Sequence, residues 1–221
     1  MPVHRSLDDE LKELDDLLVR MFDHVENQVT DTVKLLFGPD DDLRTKIRQR
    51  ERKVDALELA IDGECERILA LNHPVAGELR LIIVAVKINT DLERISDHCD
   101  NIARKGPNMV HHAGALDNTR FDDMAELTLE MLRETKQAFF DRRRALAETI
   151  LEKDDTVDEY HRQNFKALVE FGHENPSTME FIAHLIAVSQ SLERISDHAT
   201  NIAQSVIFLI EAVDVRHSGL H

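Results

Sequence analysis

The sequence predicts an all-α protein built as two tandem, sequence-related three-helix bundles, with six long helices in up-down order. Three observations predict it. First, Leu92-Glu93-Arg94-Ile95-Ser96-Asp97-His98-Cys99-Asp100-Asn101-Ile102-Ala103 returns as Leu192-Glu193-Arg194-Ile195-Ser196-Asp197-His198-Ala199-Thr200-Asn201-Ile202-Ala203, with ten of twelve positions identical. A repeat at fixed offset means two copies of one structural unit. Second, seven Gly, five Pro, no Trp and 32% charged residues, with abundant Leu, Ile, Glu, Asp and Arg, suit helices. Third, apolar residues recur at three- and four-residue intervals along most of the chain, which is the spacing of one helix face.

Taken in order, Ser6 is placed to cap a helix whose inner face is Leu7, Leu11, Leu14, Leu18, Met21, Val25, Val29, Val33 and Leu36. Gly38-Pro39 stops it, Asp41 or Asp42 can cap the next, and Leu43, Ile47, Val54, Leu57, Ile61, Cys65 and Ile68 continue the pattern. Asn72-His73-Pro74 breaks the chain, and a third helix is expected from about Val75 to Arg104, with Leu81, Ala85, Ile88, Leu92, Ile95, Cys99 and Ile102 inward. Residues 1–108 thus form the first bundle, 109–118 a linker, and 119–221 the second bundle. The fourth helix starts near Arg120, with Phe121, Met124, Leu127, Met131, Thr135 and Phe139 inward, and turns at Asp141. The fifth runs from about Arg144 to Phe171 and matches the second at an offset of 103, with Gly172 and Pro176 ending it. Ser177-Thr178-Met179-Glu180 has the capping-box spacing for a sixth helix reaching about Asp214. Either half alone is expected to stay folded, since about twenty buried Leu or Ile side chains at roughly 1.5–3 kcal/mol each support it.

A formal charge of −16, from 43 acids against 27 bases, argues against nucleic acid and favours cations or basic protein surfaces. Cys65 and Cys99 fall on inward helix positions without metal or disulfide spacing, so they read as core fillers in a reducing compartment. No signal peptide stands out, and the longest apolar run, Leu81 to Val86, is too short to span a bilayer, so a cytoplasmic location is expected.

The chemistry lies in four acid pairs, each four residues apart. Glu93, Asp97 and Asn101 stand one above another on the third helix, and Glu193, Asp197 and Asn201 repeat the line on the sixth. Glu51 and Asp55 on the second helix and Asp154 and Asp158 on the fifth occupy equivalent places. One such pair alone is an ordinary solvated margin. Four in register, at a spacing where like charges oppose the helix, would cost about 3 kcal/mol per facing contact at 5 Å and an effective dielectric near 20. A shared face would need a cation, and carboxylates with an Asn amide suit Mg, Ca, Mn or iron. Arg94 and Arg194 offer competing neutralisation by salt bridge. His98 and His198 point about 100° away from the adjacent Asp, so packing or a polar margin suits them better than ligation. No nucleophile constellation or phosphate loop is present. The catalytic alternative is a carboxylate-bridged metal enzyme, a hydrolase or oxidase, but its Glu-x-x-His signature occurs once, at Glu170 and His173, outside the repeat.

With these residues in hand, the chain resembles the PhoU family of phosphate-specific transport accessory proteins along nearly its whole length. The Leu-Glu-Arg-Ile-Ser-Asp-His repeat, its closing Asn-Ile-Ala and the upstream acid pairs carry the resemblance; Ser96 and Ser196 replace a Gly common in the family. The resemblance implies two tandem three-helix bundles and no enzymatic activity. It implies metal ions (iron, zinc, manganese or magnesium) on the motifs Glu51/Asp55, Glu93/Asp97, Asp154/Asp158 and Glu193/Asp197. It also implies negative regulation of phosphate-starvation signalling, through the phosphate ABC transporter ATPase and a phosphate-sensing histidine kinase. The protein would then be peripheral to the membrane through these partners, and a homodimer is expected.

Overall fold

Ser6 opens the first helix as expected: its hydroxyl accepts the Asp9 backbone N–H at 3.2 Å, and Asp9 accepts the Ser6 backbone N–H at 3.3 Å. In the computed structural model, which describes residues 6–38, 40–105 and 113–213, this helix is α1 (Leu7–Phe37). The cap of α2 (Asp41–Asn72) is Asp40 rather than Asp41 or Asp42; its carboxylate accepts the N–H groups of Asp42 and Leu43 at 2.9 and 3.0 Å. An acid one residue earlier reaches two of the free N–H groups of the first turn. His73 ends α2 in the left-handed region (φ 48°), and Ala76 (φ 46°) makes the next bend, so α3 (Gly77–Lys105) begins two residues later than Val75.

Residues 109–112 of the expected linker lie outside the described residues; Ala113–Ala115 form a short 3-10 turn. Then come α4 (Phe121–Phe140), α5 (Arg144–Glu174) and α6 (Met179–Glu211). Gly172 does not end α5. A Cβ there would lie 2.9 Å from the Met179 sulfur, so this glycine lets the start of α6 approach closely. The expected capping box also does not form: Pro176–Thr178 is a 3-10 turn in which the Thr178 hydroxyl donates to the Asn175 carbonyl at 2.7 Å, leaving α6 without a side-chain cap. Ala212, left-handed at φ 60°, closes α6 before the expected Asp214, which lies outside the described residues.

No strand occurs among the described residues, and the six helices pack as α1–α2–α3 and α4–α5–α6. The two sets meet along α3 and α6 and, more briefly, along α1 and α4. The apolar stripes read from the sequence face inward: Leu14, Leu18, Met21 and Val25 on α1, Ile47, Val54 and Ile61 on α2, and Ile88, Leu92, Ile95 and Ile102 on α3 are fully buried. Cys65 and Cys99 are free and buried, and burial pushes both thiols up to about 12, which suits the core role. Between the halves, Phe22 of α1 stacks on Phe139 of α4 (centroids 6.2 Å) and meets Phe140 edge-on (5.8 Å), flanked by Arg133 on Glu26 at 3.0 Å.

Inside the first half, buried Gln28 of α1 donates to the Ile47 and Ser96 carbonyls at 3.4 and 3.3 Å and accepts the Ser96 hydroxyl at 2.8 Å. One amide thus ties α1, α2 and the repeat segment of α3 together. Gln28→Ala strands these partners without replacing them, so it is expected to destabilise the fold by about 1–3 kcal/mol, read as a lowered urea midpoint with unchanged slope.

Candidate carboxylate site on each half

Each half presents acids from two antiparallel helices. In the second half, α5 supplies Asp154 and Asp158 and α6 supplies Glu193 and Asp197. Oxygens of Asp158, Glu193 and Asp197, all half-buried, lie within 4.8 Å of one another. This is the one such group of His, Cys, Asp or Glu side chains among the described residues. Asp154 Oδ1 and Glu193 Oε2 are buried without a hydrogen-bond partner there. Arg194 gives partial neutralisation, with Nη1 3.0 Å from Asp197 and Nε 3.5 Å from Glu193. A converging set of hard oxygens, with the hydrogen-bond-free Asp154 Oδ1 on the same helix face, could hold an oxygen-seeking cation.

Charge crowding shows in the proton affinities. Burial, then the Asp197 and Asp158 charges, push the Asp154 carboxyl up to about 6, offset only in part by the Thr200 and Ser196 hydroxyls. Glu193 is raised by burial and then by Asp197; Asp197 is raised by burial against the pull of Arg194. A raised carboxyl binds its proton more tightly folded than unfolded. Its stabilising contribution is therefore complete below the ordinary value of 3.8 and is lost as pH rises towards about 6. Thermal melts in EDTA are expected to show the midpoint falling from pH 4 to pH 7, and Asp154→Asn is expected to flatten that fall.

The first half has the same four positions but a different electrostatic solution. Arg94 lies 3.3 Å from both Glu93 and Asp97, as its sequence position suggested. Buried Asp100, which the sequence reading passed over, pairs with Arg104 and lies 4.0 Å from Arg48. Glu51 is raised by burial, then by Asp100 and Asp55; Glu93 is raised by burial, then by Asp97. Glu58, also passed over, continues the α2 line and is raised by burial, then by Asp62 and Asp55. Asp55 is exposed, whereas its counterpart Asp158 is half-buried. Asp100 could have been found in the sequence, because it is one of the two positions where the repeats differ, facing Thr200. Glu58 could have been found as the next turn after Asp55.

Asn101 is exposed on α3. Asn201 donates from Nδ2 to Asp91 Oδ1 at 3.3 Å across the α3–α6 seam, where His198 Nδ1 also meets Asp91 Oδ1 at 2.9 Å. His98 and His198 face each other at 5.8 Å, so both histidines of the repeat serve the joint between halves.

Known proteins share this sequence pattern and fold. The sequence model of the PhoU domain matches residues 18–106 and again 121–206. A Pseudomonas putida protein named phosphate-specific transport system accessory protein PhoU homolog is 34% identical, covering 99% of this chain and 86% of its own. One of the same name from Pseudomonas aeruginosa is also 34% identical, covering 99% and 90%. The crystal structure of PhoU from Pseudomonas aeruginosa superposes with a TM-score of 0.86 at 32% identity, covering 94% of this chain and all of that one. A Streptococcus pneumoniae phosphate transport system regulatory protein PhoU, 24% identical, shares the fold with a TM-score of 0.85. With both halves matched and relatives above 30% identity along the whole length, the chain belongs to the PhoU family.

Proposed function

We propose that this protein is an accessory regulator of phosphate uptake that restrains phosphate-starvation signalling. In this reading it works in the cytoplasm by binding the phosphate ABC transporter ATPase and a phosphate-sensing histidine kinase. The observation that carries the reading is the match of both halves to the PhoU domain, together with full-length relatives named as accessory proteins of phosphate-specific transport. No helix among the described residues is long and apolar enough to cross a membrane, which suits attachment through partners. The −16 charge suits docking against basic surfaces.

Metal ions are part of this reading. A cation on Asp158, Glu193 and Asp197, with Asp154 beside them, would relieve the crowding and clamp α5 to α6. Glu51, Asp55, Glu93 and Asp97 are the corresponding positions in the first half, and Asn101 and Asn201 flank the two sites. Iron, zinc, manganese and magnesium all accept such oxygens, and two equivalent copies could associate as a homodimer. Deletion of the gene is expected to leave a phosphate-repressible alkaline phosphatase expressed in phosphate-rich medium, with repression restored by the wild-type gene. Pull-downs of the ATPase and of the kinase cytoplasmic region are the direct check. Normal repression in the deletion strain, with neither partner retained, would sink the proposal.

A further inference from the structure

The carboxylate sites do not explain one feature of this acidic chain. Between residues 44 and 53 lie Arg44, Lys46, Arg48, Arg50, Arg52 and Lys53, six of the 27 basic residues in ten positions. Some are spoken for: Arg44 pairs with Asp41, Arg50 with Asp31, and Arg48 approaches Asp100. Lys53 is exposed and has no ion-pair partner among the described residues, and Arg20 on α1 is in the same condition. Both line a groove of about 480 Å³ between α1 and α2, together with Leu17, His24, Ala56, Leu57 and Ala60.

The register of the two helices orders this groove from end to end. Arg50 bonds to the Asn27 carbonyl at 3.4 Å, and Arg67 pairs with Glu10, so α1 and α2 run antiparallel with His24 level with Lys53 and Leu17 level with Ala60. One end is therefore cationic, Arg20 stands in the middle, and the other end is apolar with a floor of small side chains. His24 lies in reach of these cations: its pKa is lowered first by burial and then by Lys53, Arg20 and Arg50, with Asp23 opposing. Asp23 is itself held by Lys136 at 2.5 Å.

The duplication supplies an internal control. At the offset of 103, Arg52 corresponds to Asp155, Lys53 to Thr156 and Arg50 to Lys153, which Glu130 and Glu134 neutralise at 2.9 and 2.6 Å. The second bundle folds without free cations at this place, so the cations of the first bundle are not a requirement of packing. Two permanent positive charges with a histidine donor match a dianion better than a single carboxylate, and an Arg fork with a Lys suits phosphate oxygens. The groove volume falls in the usual small-molecule range of about 300–1,000 Å³.

We propose that the α1–α2 groove binds a phosphate monoester carrying a flat or apolar organic group, with the phosphate among Arg20, His24 and Lys53 and the organic group over Leu17, Ala56 and Ala60. The site is separate from the carboxylate motifs and holds whether or not those bind metal.

The test is titration calorimetry in EDTA at roughly 0.15 M salt, with phenyl phosphate and adenosine 5′-monophosphate as probes and inorganic phosphate and phenol as controls. The expected result is saturable binding of a phosphate ester in the millimolar range or tighter, with both controls at least about tenfold weaker. Arg20→Gln/Lys53→Gln is expected to weaken ester binding at least about tenfold with an unchanged thermal midpoint, whereas Glu193→Ala/Asp197→Ala leaves it intact. The His24 NMR titration is expected to move upward when the ester binds, a readout that survives if the double variant misfolds. No saturable ester binding at about 10 mM, equal affinity in a folded Arg20/Lys53 variant, or a His24 titration unmoved by ester would each overturn the proposal. Tight binding of an acidic peptide without binding of either ester would overturn it as well.

Discussion

Glu193→Ala/Asp197→Ala is expected to abolish metal uptake by the second half, while Glu93→Ala/Asp97→Ala reduces total metal by a smaller share. Three carboxylates converge within 4.8 Å only in the second half among the described residues, and Asp154 Oδ1 beside them lacks a partner. In the first half, Arg104 and Arg48 already answer the charge of Asp100, and Asp55 is exposed. Elemental analysis of protein purified without chelator or a metal column measures the difference directly. Stability gives a second readout: a ligand at a hundred times its Kd stabilises by about 2.7 kcal/mol, worth roughly 5–10 °C for a chain this long. Manganese or iron added to the chelated wild type should raise the midpoint by about that much and do nothing for the double variant. Without metal the sign reverses, because the variant removes like charges and should melt no lower than wild type. Equal metal content in wild type and the second-half variant would remove this site assignment.

Phe139→Ala is expected to produce the largest stability loss of any single truncation at the joint between halves, about 3–5 kcal/mol. Its ring is fully buried, lies 6.2 Å from Phe22 and 4.9 Å from Phe140, and carries the Arg142 guanidinium over its face at 4.8 Å. Removing it opens a cavity, takes away one aromatic partner from each neighbour and uncovers Arg142. Phe140→Ala should cost less, because that side chain is only partly buried. Denaturant unfolding followed by circular dichroism measures both. If Phe139→Ala costs under about 1 kcal/mol, the α1–α4 joint contributes little to the fold, because a truncation that mild is typical of the surface. The sequence placed Phe139 on an inner face, but not that the face it fills is shared with Phe22 of the other half.

The helices were legible because burial follows a 3.6-residue period, and the repeat announced the duplication. The misread boundaries have local causes that periodicity does not carry. Gly172 reads as a terminator until Met179 is seen packed against it, and Ser177 to Glu180 reads as a capping box until Ser177 and Thr178 are found in a 3-10 turn with Pro176, ahead of α6. The acid pairs were legible for a similar reason, since a four-residue spacing fixes them to one helix face. Glu58 and Asp100 went unread because their role depends on which helix lies opposite, and spacing alone placed Asn201 with the acids without showing that its amide donates to Asp91 of the other half.

By itself the sequence determined six amphipathic helices, their duplication, the family, and the four acid pairs on equivalent faces, since each of these is written in spacing along one chain. It could not rank the two sites, because Leu92 to His98 and Leu192 to His198 are letter for letter the same. Tertiary structure gives their carboxylates different surroundings. Packing sets Asp100 with its arginines beside one copy and Thr200 beside the other, and the energy of a carboxylate depends on the charges a few ångströms away in space rather than on its neighbours in sequence.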